Sequence, residues 1–197
     1  MKLNKLFGFC LADCMMLGSA VNVSAVIPAD YINESGKDFS ERMKWFVEAK
    51  FGMFIHFGLY SSLGGVYNGK TVEGYAEWIQ STTDIPSIEY ASLAKKWNSS
   101  EFDADMMVRL AKEAGMKYLV VTTKHHEGFC LWNSRYTYFD IASTPMKGRD
   151  IVKELADACK KYKVRFGTYY SIIDWHHSSQ ERNAKGNDPW GWWAQIP

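Results

Sequence analysis

Three apolar runs organise this chain, and each one stops abruptly at histidines, carboxylates or tryptophan. The first is KFGMFIHF (50–57), rich in strand formers and ending at His56 and Gly58. The second is Met116 to Thr122, which runs into Lys124, His125, His126, Glu127 and Trp132. The third is VRFGTYYSII (164–173), followed by Asp174, Trp175, His176 and His177. Between them the period changes from continuous to helical. Ala104, Met107, Val108, Ala111 and Ala114 share one face of a helix predicted over Glu101–Ala114, with Ser99 and Ser100 as candidate N-caps and Gly115 as its C′ residue. Ile151, Val152, Leu155, Ala158, Cys159 and Tyr162 share a face of a second helix over Arg149–Tyr162. Strands that are apolar almost throughout, alternating with amphipathic helices, imply a parallel sheet covered by helices.

The strand ends sharpen that expectation. An α/β protein builds its pocket at the carboxyl ends of its strands, and three strands deliver site-type residues to one edge, the arrangement of a (β/α)8 TIM barrel. A doubly wound sheet is the alternative, but no G-x-G-x-x-G follows the first strand. Such a barrel takes about 250 residues, whereas residues 26–197 supply only about the first three β/α units. The chain also stops after Trp192, Trp193 and Pro197 with no terminating pattern. The expectation is therefore an incomplete barrel, the N-terminal part of a longer domain or the product of a premature stop.

Elsewhere the pattern is weaker. Residues 26–40 read as a lead-in, Glu41–Ala49 as a short helix with Met43, Phe46 and Val47 on one side, and Gly64, Gly65 and Gly69 as a loop. Tyr75–Trp78 reads as helical. The first 25 residues have the form of a secretory signal peptide. Lys2 and Lys5 precede a mostly apolar stretch from Leu6 to Leu17, and Val23-Ser24-Ala25 is a small-residue cleavage site. Export to the periplasm, the exterior or a lysosome-like lumen is the corresponding expectation. The stretch is too short and interrupted to span a membrane.

Composition narrows the function classes. With 23 basic and 22 acidic residues the chain lacks the basic excess that nucleic acid or an anionic membrane surface demands. Eight Trp, eleven Tyr and eleven Phe permit a carbohydrate pocket without requiring one. Cys10 and Cys14 fall in the leader, which leaves Cys130 and Cys159. Two cysteines on different elements make no disulfide framework, and Cys159 belongs to a buried helix face.

Three chemistries suit the strand-end residues. A metal centre is disfavoured: His125-His126 and His176-His177 are adjacent, extended neighbours point to opposite faces, and no H-E-x-x-H or cysteine cluster is present. Neutral imidazoles, each one donor and one acceptor, match sugar hydroxyls, and Trp78, Trp132 and Trp175 offer indole faces for a ring. Glycoside hydrolysis commonly uses two carboxylates, for which Glu77, Glu127 and Asp174 are the best-placed acids, though spacing gives neither role to any of them.

The stretches WFVEAKFGMFIHFGLYS (45–61), YAEWIQ (75–80), FDADMMVRLAKEAGMKYLVVTTKHHEGFCLW (102–132) and VRFGTYYSIIDWH (164–176) resemble the α-L-fucosidases of glycoside hydrolase family 29. The resemblance implies a (β/α)8-like catalytic domain, retaining exo-hydrolysis of α-L-fucosides, a fucosylated glycan as partner and no metal or organic cofactor. It also implies fucose-binding roles. His56, Glu77, His125 and His126 would contact hydroxyls, Trp78 would pack near the sugar, and Tyr169, or Tyr170 if the strand register slips by one, would approach the reacting end. In that family the nucleophilic aspartate ends the fourth strand and the acid/base glutamate comes later, so both would lie beyond Pro197 and no catalytic carboxylate would fall within this sequence. The isolated chain is then expected to be inactive and to fold poorly. A non-catalytic fucose-binding module of the same fold and a metal-dependent barrel hydrolase are the competing readings.

Overall fold

A computed structural model describes residues 34–177. The leader, its two cysteines and the aromatic C-terminal stretch lie outside the described residues. The chain divides into two compact units at residue 48, and the described part of the first is essentially one helix, α1 (Gly36–Ala49). It begins five residues before the predicted Glu41. The Ser35 hydroxyl accepts from the Asp38 backbone N–H at 3.2 Å, and Arg42 grips Glu34 through two 2.7 Å hydrogen bonds.

The second unit holds a three-stranded parallel sheet in the order β1 (Gly52–Ile55), β4 (Tyr118–Lys124), β5 (Arg165–Tyr170). Between β1 and β4 come a 3-10 turn (Leu59–Ser62), a hairpin of β2 (Val66–Tyr67) and β3 (Lys70–Thr71), a 3-10 turn (Ala76–Trp78) leading into α2 (Ile79–Thr82), then α3 (Ser87–Ser92) and α4 (Ala104–Glu113). Helix α5 (Ile151–Tyr162) connects β4 to β5. The hairpin falls in the segment expected to be a loop. Asn68 and Gly69 both have positive φ, the turn that a two-residue Asn-Gly hairpin uses.

The helix boundaries correct the sequence reading at their N-termini. Helix α4 starts at Ala104, not Glu101, and its cap is Asp103, whose carboxylate accepts from Met106 N at 2.9 Å; Ser99 and Ser100 lie outside it. Helix α5 starts at Ile151, capped by Asp150 through a 2.8 Å bond from Lys153 N. In both cases an aspartate side chain takes up an N–H that the helix cannot satisfy itself. Gly115, with φ of +87°, follows α4 as expected.

One face of the sheet and the inner faces of α4 and α5 share a single core. Leu119, Val121, Val108, Ile151 and Leu155 are fully buried in it. Each such side chain contributes about 1.5–3 kcal/mol on leaving water, so this face carries much of the stability. The opposite face, on which Phe54 stands half exposed, carries rings instead.

Toward its C-terminal end β4 becomes polar without becoming exposed: Thr122, Thr123 and Lys124 are all buried. The strand therefore runs past the predicted Thr122, while β5 stops at Tyr170 short of the predicted Ile173. Thr122 explains the continuation. Its hydroxyl donates to Phe57 O (3.2 Å) and accepts from Phe57 N (3.0 Å) and from the Tyr60 hydroxyl (3.0 Å). Thr122 thereby ties the segment after β1 to β4 where the backbone ladder ends. Thr122→Val keeps the shape and removes all three bonds. It is expected to lower unfolding free energy by about 2–3 kcal/mol, read from a denaturant midpoint with an unchanged slope. A shift under about 0.5 kcal/mol would show that the hydroxyl is not the tie.

Candidate functional site

Parallel pairing brings the C-terminal ends of the strands to one edge of the sheet. Ile55 pairs with Val121, Val121 with Thr168, and Thr122 with Tyr169. His56, the residue after β1, and His125, the residue after β4, meet at that edge with ring centroids 6.0 Å apart, although β4 runs three residues beyond the Ile55–Val121 pair. Tyr169, near the end of β5, lies almost parallel to His125 at 5.7 Å and also meets Phe54 at 6.0 Å. Tyr170 points elsewhere, toward the Lys124 ammonium (5.0 Å) and Trp132 (6.3 Å). Of the two tyrosines, Tyr169 is the one beside the histidines.

The His125 and His126 rings are 4.2 Å apart and belong to one cluster. This corrects the expectation that adjacent histidines face opposite ways. Strand β4 has ended at Lys124 and the backbone turns at His126 and Glu127, so the alternation of an extended strand no longer applies. Trp78, at the end of its 3-10 turn, stands perpendicular to His126 at 5.2 Å and to Trp175 at 5.7 Å. Trp175 also meets His126 at 5.3 Å. Glu77 puts Oε1 3.8 Å from His56 Nε2. All six sequence-predicted residues, His56, Glu77, Trp78, His125, His126 and Tyr169, thus fall in one connected group. His56 and Glu77 lie on its open side, whereas His125 and His126 form a buried floor.

A second layer of polar groups supports the floor, and none of it was singled out in sequence as support. Lys124, almost wholly buried, donates to Ser171 O (3.0 Å) and Ile173 O (3.2 Å) and lies 3.2 Å from Asp174 Oδ2. The ammonium is thereby fully engaged, and the segment after β5 is fastened to the end of β4. The Trp175 backbone N–H donates to His126 O at 2.7 Å. Gly128 is required at this junction, since a Cβ there would sit 2.4 Å from Asp174 Oδ1. Ser171 Oγ donates to Ile173 O at 2.8 Å, which uses its single proton, so the 2.6 Å contact to His126 Nδ1 is an N–H donated by the ring. His126 is therefore held with its lone pair on Nε2.

Burial sets the charge state of the floor. It drives the His125 imidazole down to about 3, with the neighbouring His126, His56 and Lys124 acting in the same direction. His126 is also lowered, first by burial and then by Lys124, against an opposing pull from Glu77. Glu127 is pushed up to about 8 by burial, with Asp174 adding to the shift and its own backbone amide and Lys124 opposing it. At neutral pH the floor is thus uncharged, and the 3.7 Å approach of His125 Nδ1 to Glu127 Oε2 is not an ion pair. The Cys130 thiol, raised to about 12 by burial, is no nucleophile. Among the described residues no three His, Cys, Asp or Glu side chains are grouped to hold a metal ion. A neutral, ring-lined floor beneath an open histidine and carboxylate suits a polyhydroxylated ligand with an apolar face.

The sequence model of the family described as alpha-L-fucosidase matches residues 22–192. The chain belongs to the α-L-fucosidase family. Among curated members, human plasma alpha-L-fucosidase is 37% identical over 141 residues, covering 68% of this chain and 30% of that protein. Among solved structures, the unliganded α-L-fucosidase AlfC from Lactobacillus casei has a TM-score of 0.68 at 49% identity, covering 75% of this chain and 46% of that one. A family 29 α-L-fucosidase from Bacteroides thetaiotaomicron has a TM-score of 0.68 at 40% identity, covering 78% and 34% respectively. The chain therefore spans about a third of the curated α-L-fucosidases and under half of the L. casei enzyme.

The two buried groups impose opposite pH dependences on this α-L-fucosidase fold. Glu127 ionises at about 8 instead of 4.5, so the stability its neutral form contributes is complete below about 4.5 and is lost as pH rises toward 8. His125 protonates at about 3 instead of 6.5, so its contribution is complete above about 6.5 and is lost as pH falls toward 3. Thermal midpoints measured from pH 3 to 9 are expected to plateau near pH 4.5–6.5, where the opposing slopes cancel, and to fall on both sides. Glu127→Gln should flatten the alkaline limb. A wild-type midpoint that climbs between pH 6.5 and 8 would contradict these assignments.

Proposed function

We propose that this chain is the sugar-binding portion of an exported, retaining exo-α-L-fucosidase built on a (β/α)8 barrel, of which residues 50–173 form about the first three strands. The observation that carries the reading is the convergence of His56, Glu77, Trp78, His125, His126 and Tyr169 from three strand ends and a connecting turn onto one site with an uncharged floor. The relatives add chemical direction. The L. casei enzyme has been solved in complex with its α-L-fucose product, and a mutant of it with 4-nitrophenyl α-L-fucopyranoside substrate and with Fucα(1,6)GlcNAc.

In this reading His126 Nε2 accepts from a fucose hydroxyl, His125 and His56 bond neighbouring hydroxyls, and Glu77 accepts from one at the open side. Trp78 packs against the apolar face of the sugar and Tyr169 approaches the anomeric end. The ring-bearing face around Phe54 becomes the interior of the barrel once further strands close on it. Retaining hydrolysis needs a nucleophilic carboxylate and a second carboxyl group that protonates the leaving oxygen. The six grouped residues serve to bind and orient the sugar, and neither carboxyl role falls to any of them. No metal or organic cofactor takes part. The basic and apolar leader, Lys2 to Leu17 with small residues at 23–25, supports export.

The complete open reading frame, expressed and assayed on a chromogenic α-L-fucoside, is expected to turn over. A folded full-length protein without turnover would sink the enzyme reading and leave a fucose-binding module. In the active protein His125→Ala should lower kcat/KM on the order of 100-fold, since a floor that orients the sugar is lost; an unchanged value removes His125 from the site.

A further inference from the structure

Glu127 is the feature of the floor that sugar binding does not use. It is 1% exposed, and apart from the pull of its own backbone amide neither of its oxygens has a hydrogen-bond partner among the described residues. The His125 Nδ1 atom, 3.7 Å away, has none either. Three buried polar atoms without partners, side by side, would each cost about 1–3 kcal/mol if they stayed so.

The surroundings dictate how they pair. The carboxyl group is confined: a Cβ on Gly58 would lie 2.6 Å from Oε1, so the Gly58 backbone blocks retreat on that side, and the Tyr60 ring lies against the same glycine. Four ionisable groups face it from the elements packed around it besides His125, namely Lys124 of β4, Asp174 after β5, Tyr60 after β1 and Tyr90 of α3. The only cation among them, Lys124, is engaged by two carbonyls and Asp174. A carboxylate ion buried there would have neither water nor a free cation, an arrangement that costs far more than keeping the proton. With the proton retained, Glu127 is an O–H donor beside an imidazole nitrogen that can accept, and the gap closes to hydrogen-bond length with a shift of about 1 Å.

We propose that Glu127 is a positioning residue: its protonated carboxyl group donates to His125 Nδ1 and fixes the proton of that ring on Nε2, so that the two adjacent histidines meet the ligand with opposite polarity, His125 as donor and His126 as acceptor. His126 is set by Ser171, as its geometry requires. The pair then forms a bifunctional floor suited to one hydroxyl that accepts from His125 and donates to His126, or to two neighbouring hydroxyls of opposite roles. A ligand group that can only donate, or only accept, satisfies half of it. Fucose recognition at this floor rests on the functional reading above; the opposite tautomers do not.

Full-length protein labelled with 15N at histidine separates the two ideas. The imidazole nitrogen shifts of wild type should report His125 protonated on Nε2 and His126 on Nδ1 at pH 6–7. His125 protonated on Nδ1 overturns the proposal, whether or not the protein hydrolyses fucosides. In protein that does turn over, Glu127→Leu should cost on the order of 10- to 100-fold in kcat/KM, mostly through KM, and mix the His125 tautomers. Glu127→Gln, whose amide can donate to the same nitrogen, should recover most of that loss and restore the Nε2–H signature. A Glu127→Leu protein with wild-type tautomers and kinetics overturns the proposal. If neither variant folds, the wild-type spectrum alone decides.

Discussion

Parallel pairing in register is the constraint on which everything at the site depends. With Ile55 beside Val121 and Val121 beside Thr168, the three strands run the same way and bring their C-terminal ends to one edge of the sheet, and the residue after β1 and the residue after β4 are both histidines. A one-residue slip in either pair would turn His56 or Tyr169 to the helix-covered face, where Leu119 and Val121 are packed. The core and the site are thus two faces of one decision: apolar side chains held by α4 and α5 fix the register, and the register aligns the rings.

What lies past the end of the ladder needs other ties, and they are polar. Thr122 holds the segment after β1, and Lys124 holds the segment after β5 through Ser171, Ile173 and Asp174. Buried ion pairs contribute little net stability on average, but breaking one is costly. That asymmetry suits a part whose work is to keep two loops in place. The same burial that makes these ties strong strips charge from His125 and Glu127, giving a neutral floor that presents hydrogen bonds in place of ions.

The sheet, its helices and their order were legible in the sequence because the strands read as near-continuous apolar runs and the helices as a 3.6-residue stripe. The six site residues were legible through the motifs they share with the family and through their positions at strand ends. The failures have physical reasons. Ser99 and Ser100 are as good caps on paper as Asp103, and only the carboxylate bond to Met106 decides. Thr122 to Lys124 look like the end of a strand, yet hydrogen bonds from residues about 46 to 65 positions away keep them buried. His125 and His126 were assigned to opposite faces by a rule for extended chain that ceases to hold where the chain turns. The Lys124–Asp174 and His126–Ser171 contacts join segments far apart in sequence, and no local pattern announces them.

In the proposed reading, residues converging on the ends of β1, β4 and β5, with the Glu77–Trp78 turn, bind fucose. A crystal structure of the full-length protein soaked with α-L-fucose tests it most directly. Hydroxyls within hydrogen-bond distance of His56, Glu77, His125 and His126, with the sugar face against Trp78, are what this account predicts. Fucose bound elsewhere on the protein, with the His125–His126 floor empty, would contradict it.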